Sequence, residues 1–420
     1  MAHETDSSPQ KRKRPFRQIY GPILLLALIL VILFLAVIAF TLQQHKETAL
    51  YENVSYNNAY SSGSIVRIGS LPETITPVWM YSATGKSVRS VAISGDGRYV
   101  AAGSGPDLYC LNREGILHWN YTPGSEPGTY GGTFRDLSIS DDGKFIVGSL
   151  GFTFYYFSQN GTRLLDGGWG FEDGIESMDL SAEGKTFVIG TSGHNRVWFL
   201  NPNGNIPSWH FTTFNRKNTS ESYAGNHVAM SADGQYVGAS GEDSRVYYFN
   251  QSGALLWKSN ETGRPLENIA MSADGHTIAA ASRDHSVYVF DNTGNLLWNA
   301  TTGDVVRTIA MSSDGKYIVA GSDDSGITFF DRNGTLISTY IARKPVTSLA
   351  ISRNGNTIVA GSKDSGIYCF DQDGTLLWKY IAGKAVNRVA VSGDGIWVVA
   401  GSSDGNVYFF SRNGTADGHS

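Results

Sequence analysis

The chain has 420 residues, 49 of them Gly, with only 17% charged residues and a formal net charge of −5. With 12% aromatic residues the composition excludes a disordered chain, and the acidic balance is wrong for holding a phosphate backbone.

Residues 1–18 are polar and basic, with Lys11, Arg12, Lys13, Arg14 and Arg17. Residues 23–42, ILLLALILVILFLAVIAFTL, follow, with Thr41 the only polar residue among them. At about 1.5 Å rise per residue this stretch spans a bilayer core. The expectation is a cytoplasmic basic tail at 1–18 and a single-pass transmembrane helix (a signal anchor) at 19–42. The basic cluster holds the N-terminus in the cytoplasm and everything later lies outside the cell membrane. The alternative is a signal peptide cleaved near Val37-Ile38-Ala39, against which the length of the apolar run counts. Both readings place the remainder outside the cytoplasm. Removing five basic and two acidic residues with the tail leaves 28 basic against 36 acidic ones. No nucleic-acid partner is expected. Residues 43–74 are rich in Asn, Ser and Tyr without a period, and read as a polar stalk.

From residue 75 one unit recurs. Its clearest copy is Val305 to Tyr340, VVRTIAMSSDGKYIVAGSDDSGITFFDRNGTLISTY. Thr308 to Ser312, Tyr317 to Ala320, Ile327 to Phe330 and Thr335 to Tyr340 have strand composition and length. Ser-Asp-Gly, Asp-Asp-Ser-Gly and Arg-Asn-Gly turns separate them. A Ser-x-(Asp/Glu/Asn)-Gly marker starts at Ser94, Ser140, Ser181, Ser231, Ser272, Ser312, Ser352 and Ser392, at spacings of 46, 41, 50, 41, 40, 40 and 40. A lone four-stranded sheet cannot bury both faces, and a repeat of about 40 residues matches the blade of a β-propeller. The fourth strand appears near Trp119, Leu164, Trp209, Trp257, Trp298, Ile337 and Trp378. The last unit lacks one, and Val78-Trp79-Met80-Tyr81 at the front supplies it. The expectation is an all-β, eight-bladed propeller over 75–413, its last blade closed by the N-terminal strand, with a tail at 414–420.

Two families share these motifs. The stretch IAMSADGHTIAAASRDHSVYVFD (269–291) resembles WD repeats, with Phe290-Asp291 where that family has Trp-Asp. The stretch VYVFDNTGNLLWNATTG (287–303) resembles the pyrroloquinoline-quinone-type propeller repeat. The second resemblance implies eight blades. It also raises a quinone-dependent dehydrogenase or an envelope-assembly scaffold as alternatives to a protein- or glycan-binding module. The adjacent Cys pair and calcium cluster usual in those dehydrogenases are not recognisable here. No cofactor, metal or catalytic residue is therefore assigned.

Five residues before each marker stand Arg89, Arg135, Glu176, Asn226, Glu267, Arg307, Thr347 and Asn387, a polar ring at the channel mouth. It reads as a ligand site or as inter-blade pairing, Arg135 with Glu176 and Glu267 with Arg307. Arg89 has no acidic neighbour and is the best single anion contact. Three residues further on all are small except Asp179, read as a satisfied core carboxylate paired with Arg135 or as a channel ligand. Asp107, Asp243, Asp284, Asp324, Asp364 and Asp404 read as turn residues. Cys110 and Cys369 read as buried free thiols, one blade too far apart to join.

The long spacings fall at Thr122 to Thr133 and Thr212 to Gly225, and the link from Asp166 to Gly174 is irregular. These loops bring Tyr130, Trp169, Phe171, Phe214 and Tyr223 to the mouth face, either as a protein or carbohydrate contact or as a cap. Asn-x-Ser/Thr sequons stand at Asn53, Asn120, Asn160, Asn218, Asn250, Asn260, Asn299, Asn333 and Asn413, which fits a surface glycoprotein.

Overall fold

The computed structural model describes residues 75–124, 132–167, 174–192, 194–202, 208–213 and 225–414. The expected tail, membrane segment and stalk lie outside these, as do Tyr130, Trp169, Phe171, Phe214, Tyr223, Asn53, Asn218 and residues 415–420. Among the described residues no helix is long and apolar enough to cross a membrane.

The alternating strands and Gly-centred turns fold into eight four-stranded antiparallel sheets, each an up-and-down meander. The first strand of each is innermost, as Val88–Ile93 in blade 1, Ile175–Leu180 in blade 3 and Val306–Met311 in blade 6. Seven blades are continuous in sequence. In the eighth, Trp79–Ser82 pairs with Asn406–Ser411, with Trp79 opposite Phe409 and Ser82 opposite Asn406. The expected closure by both chain ends is therefore present, and it removes two free sheet edges.

The core lies between blades. One cluster takes Val359, Ile367 and Cys369 from blade 7 and Val386, Val398 and Tyr408 from blade 8. Another joins Cys110 of blade 1 to Phe134 and Tyr155 of blade 2. Both cysteines are buried and free, as expected.

The Ser-x-Asp-Gly marker is a side-chain-locked turn. Ser94 Oγ donates to Asp96 Oδ1 at 2.7 Å and accepts the N–H of Tyr99 at 3.1 Å. Gly97 sits at φ 67°, where a side chain is strained. The turns also link round the ring. Ala182 donates its N–H to Ala232, Ala232 to Ala273, Ala273 to Ser313 and Ser313 to Arg353. This backbone belt fixes the end of the channel opposite the mouth.

The outer strands carry a second lock. Trp119 Nε1 donates to the Gln159 carbonyl, Trp257 to Asn292 and Trp298 to Arg332, each in the next blade. The fourth strands expected near Leu164 and Ile337 are present as Arg163–Gly167 and Leu336–Ile341. The tryptophan position within them is Leu165, opposite Tyr156, and Ser338, opposite Phe329.

Candidate binding face and central channel

Seven of the eight inner strands enter the sheet through a β-bulge, that of blade 4 being the exception. In blade 1, Val88 pairs with Ser104 and Ser90 with Gly103, leaving Arg89 unpaired between them. The same shift leaves Arg135, Glu176, Glu267, Arg307, Thr347 and Asn387 unpaired in their blades. A bulge re-aims the side chain it carries. Seven of the eight residues of the polar mouth ring are thus bulge residues, and Asn226 directly precedes its strand, His227–Met230.

These residues differ in how they are held. Glu267 is clamped between Arg283 and Arg307, the second at 3.1 Å, and Arg307 continues to Asp323 at 2.7 Å. That run confirms the expected Glu267–Arg307 pair, and its carboxylates hold the Arg307 guanidinium above its ordinary range. Thr347 Oγ1 donates to the Val386 carbonyl at 2.6 Å, and Asn387 Nδ2 to the Val88 carbonyl at 2.7 Å. Asn226 is buried and accepts from Thr213 Oγ1. The expected Arg135–Glu176 pair does not form among the described residues. Arg89 and Arg135 are exposed, and neither has an ion-pair partner among the described residues.

One step further along the inner strands lies a second polar ring. It comprises Ser90, Asp136, Ser177, His227, Asn268, Thr308, Ser348 and Arg388, and sequence reasoning missed it. Counting four residues before each marker instead of five would have found it. These side chains stitch inner strands together. Asp136 Oδ2 accepts the N–H of Met178 in blade 3 at 2.7 Å, and Asn268 Oδ1 that of Ile309 in blade 6 at 3.2 Å. Ser348 Oγ accepts that of Val389 in blade 8 at 3.2 Å. Arg388 of blade 8 reaches past small Ser90 to Asp136 of blade 2, at 2.7 Å. The Asp136 side chain is only 6% exposed.

The channel between these strands encloses about 390 Å³. Asp179 lines it, half-buried at the surface yet set deep among the inner strands. Its Oδ2 accepts the N–H of Met230 in blade 4 at 2.8 Å, and Oδ1 that of Leu180 at 2.9 Å. Its partner is backbone, and Arg135 is not involved. Burial outweighs these bonds and pushes the carboxyl up to about 6. Burial likewise pushes the His227 imidazole down, against the pull of Glu176, Glu267 and Asp136. At the far end Arg353 of blade 7 lies over Gly393 and Gly95 and pairs with Asp141 of blade 2. A Cβ at Gly95 would stand 2.6 Å from the guanidinium, so a side chain there would push the end of Arg353 aside. Burial raises the Asp141 carboxyl, opposed by Arg353.

The recurrent turn aspartates are structural. Asp364 accepts the N–H groups of Arg343 and Gly366 and the Tyr368 hydroxyl. Asp404 does the same for Gly383, Asn406 and Tyr408. Their oxygens are taken up by the entry loop of their own blade. Among the described residues no group of three or more His, Cys, Asp or Glu could hold a metal ion.

Three family models match parts of this arrangement. Residues 242–363 match the model described as outer membrane protein assembly factor BamB, of the pyrroloquinoline-quinone repeat type. Residues 346–418 match the lambda-carrageenase β-propeller domain, and residues 75–107 the WD domain, G-beta repeat. No curated protein matches the sequence. Among solved structures, Chaetomium thermophilum Sqt1 bound to the N-terminus of ribosomal protein L10 superposes with TM-score 0.65 at 16% identity, covering 80% of this chain and 100% of that one. The C-terminal WD40 domain of Sif2 gives 0.67 at 13%, covering 81% and 99%. The computationally designed Ika8 protein gives 0.64 at 16%, covering 80% and 99%. At these identities the likeness is one of fold. The chain is an eight-bladed β-propeller in which residues 242–363 match a pyrroloquinoline-quinone-type repeat model and residues 75–107 a WD repeat model.

Proposed function

We propose that this propeller is a membrane-anchored, extracytoplasmic binding module whose mouth face over blades 1 to 3 takes a protein partner. One observation carries the reading. Arg89 and Arg135 stand on adjacent bulges, exposed and without an acidic partner among the described residues. In blades 4 to 8 the same position is tied down. Glu176 on the next bulge makes no ion pair among the described residues either, so the open stretch holds two cations and one anion, a net positive patch that suits an acidic segment of a partner. That the related fold of Sqt1 is recorded with the N-terminus of a ribosomal protein supports a peptide as the kind of ligand such a face can hold. The anchor rests on the 20-residue apolar run and the basic cluster before it.

A carbohydrate ligand is the second reading, resting on Trp169, Phe171 and the other loop aromatics of the sequence. Chemical cross-linking in native membranes tests both. The full chain is expected to cross-link a protein partner at low salt, and Arg89→Glu with Arg135→Glu to abolish the adduct. Retention of the adduct in that double variant overturns the assignment of the face. Protease added to intact cells is expected to digest the propeller; protection overturns the extracytoplasmic placement.

A further inference from the structure

The outer circumference poses a problem the mouth does not. Each fourth strand is a sheet edge, and in blades 1, 2, 4, 5 and 6 large apolar side chains at or beside its start face solvent. Ile116 of blade 1 is 63% exposed, Leu164 of blade 2 is 48%, and Leu256 of blade 4 is 47%. Leu296 and Leu297 of blade 5 and Leu336 of blade 6 behave alike. A recurrent apolar edge of this kind invites association unless something covers it.

The sequons fall beside it. Asn120 follows Leu117 on the same strand, and Asn299 follows Leu297. Asn160, Asn250 and Asn333 lie at or beside the turn that leads into the fourth strand of blades 2, 4 and 6. Asn413 occupies that turn in blade 8, where Met80 on the closing strand is 56% exposed. Asn120, Asn160, Asn299, Asn333 and Asn413 are all exposed. Blades 3 and 7 hold no sequon between their first and fourth strands, and blade 7 is the informative one. There Leu377 is half-buried and packs in one cluster with Ile75 of the entering chain. Where the protein's own segment covers the start of the edge the sequon is missing, although Ile381 at the far end of that strand is 56% exposed, and in the five blades named above with exposed apolar residues at the start of this strand a sequon is present.

Local geometry suits the chemistry. Thr162 Oγ1 donates to Asn160 Oδ1 at 2.9 Å, and Ser252 Oγ to Asn250 Oδ1 at 2.7 Å. The carboxamide oxygen is engaged and the amide nitrogen is left as the reacting group.

We propose that these asparagines carry N-linked oligosaccharides that together shield the apolar edge of the propeller. The donor class is a polyprenyl-phosphate-linked oligosaccharide. The Asn nitrogen forms a bond to the anomeric carbon, the carbon–oxygen bond to phosphate breaks, the amide gives up one proton, and the lipid phosphate leaves. The proposal rests on the extracytoplasmic placement above.

The test uses the full chain purified from its own cell membranes. Peptides containing Asn120, Asn160, Asn299 and Asn333 are expected to carry saccharide mass increments. The fourfold Asn→Gln variant is expected to lose those increments and to bind several-fold more of a hydrophobic dye. Unmodified peptides from a propeller that protease reaches on intact cells overturn the modification and leave the placement standing. A propeller that protease does not reach overturns both. Increments with unchanged dye binding in the variant overturn the shielding.

Discussion

Glu267 in blade 5 and Glu176 in blade 3 occupy the same bulge of equivalent inner strands. Glu267 is held by Arg283 and Arg307, with its side chain 10% exposed. Glu176 makes no ion pair among the described residues. The contrast extends along the ring. From blade 5 to blade 8 every bulge residue is bonded to its own or a neighbouring blade, and from blade 1 to blade 3 none is so bonded among the described residues. The bulge is thus a common device used two ways. In the regular half it closes the structure, and in the irregular half it displays a side chain. A repeat protein can vary one position per blade in this manner because each blade contacts only its neighbours.

The largest expected effect comes from unclamping the regular half. Glu267→Ala leaves two guanidinium groups without their shared carboxylate, and breaking such a partly buried pair costs about 3 kcal/mol. Glu176→Ala at the matching bulge is expected to cost less than about 0.5 kcal/mol. Urea midpoints of the two variants measure the difference. Equal shifts would remove the distinction between the halves.

Arg388 carries the regular half into the irregular one, since it spans blade 1 to reach Asp136. Arg388→Leu strands a buried carboxylate that keeps only the Met178 N–H. The expected loss is about 2 kcal/mol. A double-mutant cycle with Asp136→Asn should show coupling of about 1 kcal/mol or more; additive effects would mean that the two residues act separately.

Asp179 gives the irregular half a pH signature. Its carboxyl titrates near 6 in the folded chain, against about 3.9 when unfolded. Folding therefore favours the protonated form. Stability is highest below the unfolded value and falls as pH rises to the folded one, by about 3 kcal/mol in all. Asp179→Asn should remove this loss. The stability of the parent relative to the variant is expected to fall between pH 4 and pH 6.5. A constant difference across that range would place the carboxylate in bulk-like solvent instead.

Fold and closure were readable because they rest on periodic features. Eight Ser-x-Asp-Gly-type turns fix the blade count, and Trp79 identifies itself as the missing outer strand by its likeness to Trp378. The site was less readable for two physical reasons. A bulge shifts the register by one residue, so the ring at Arg89 and the ring at Ser90 both look like strand positions in sequence. Only the ladder shows that one projects to the mouth and the other stitches the channel. Pairing across the ring is likewise invisible to spacing. Arg388 meets Asp136 at a separation of 252 residues, and Arg353 meets Asp141 over Gly393 and Gly95. Leu165 and Ser338 carry no indole at the tryptophan position, so spacing located these strands near Leu164 and Ile337 without fixing their register.

The smallest expected effect is the most discriminating for the display reading. Arg89 has solvent around its guanidinium and no acidic partner among the described residues, so its removal deprives the fold of nothing. Arg89→Ala is expected to move the urea midpoint by less than about 0.3 kcal/mol, and the same holds for Arg135→Ala. A side chain that the fold does not need is free to serve a ligand, and binding energy at such exposed arginines comes from the partner's carboxylates. Loss of the cross-linked adduct with an unchanged midpoint would therefore assign both residues to display. A midpoint shift above about 1 kcal/mol in either variant would show that the irregular half is also tied at its mouth, and the contrast between the halves would fail.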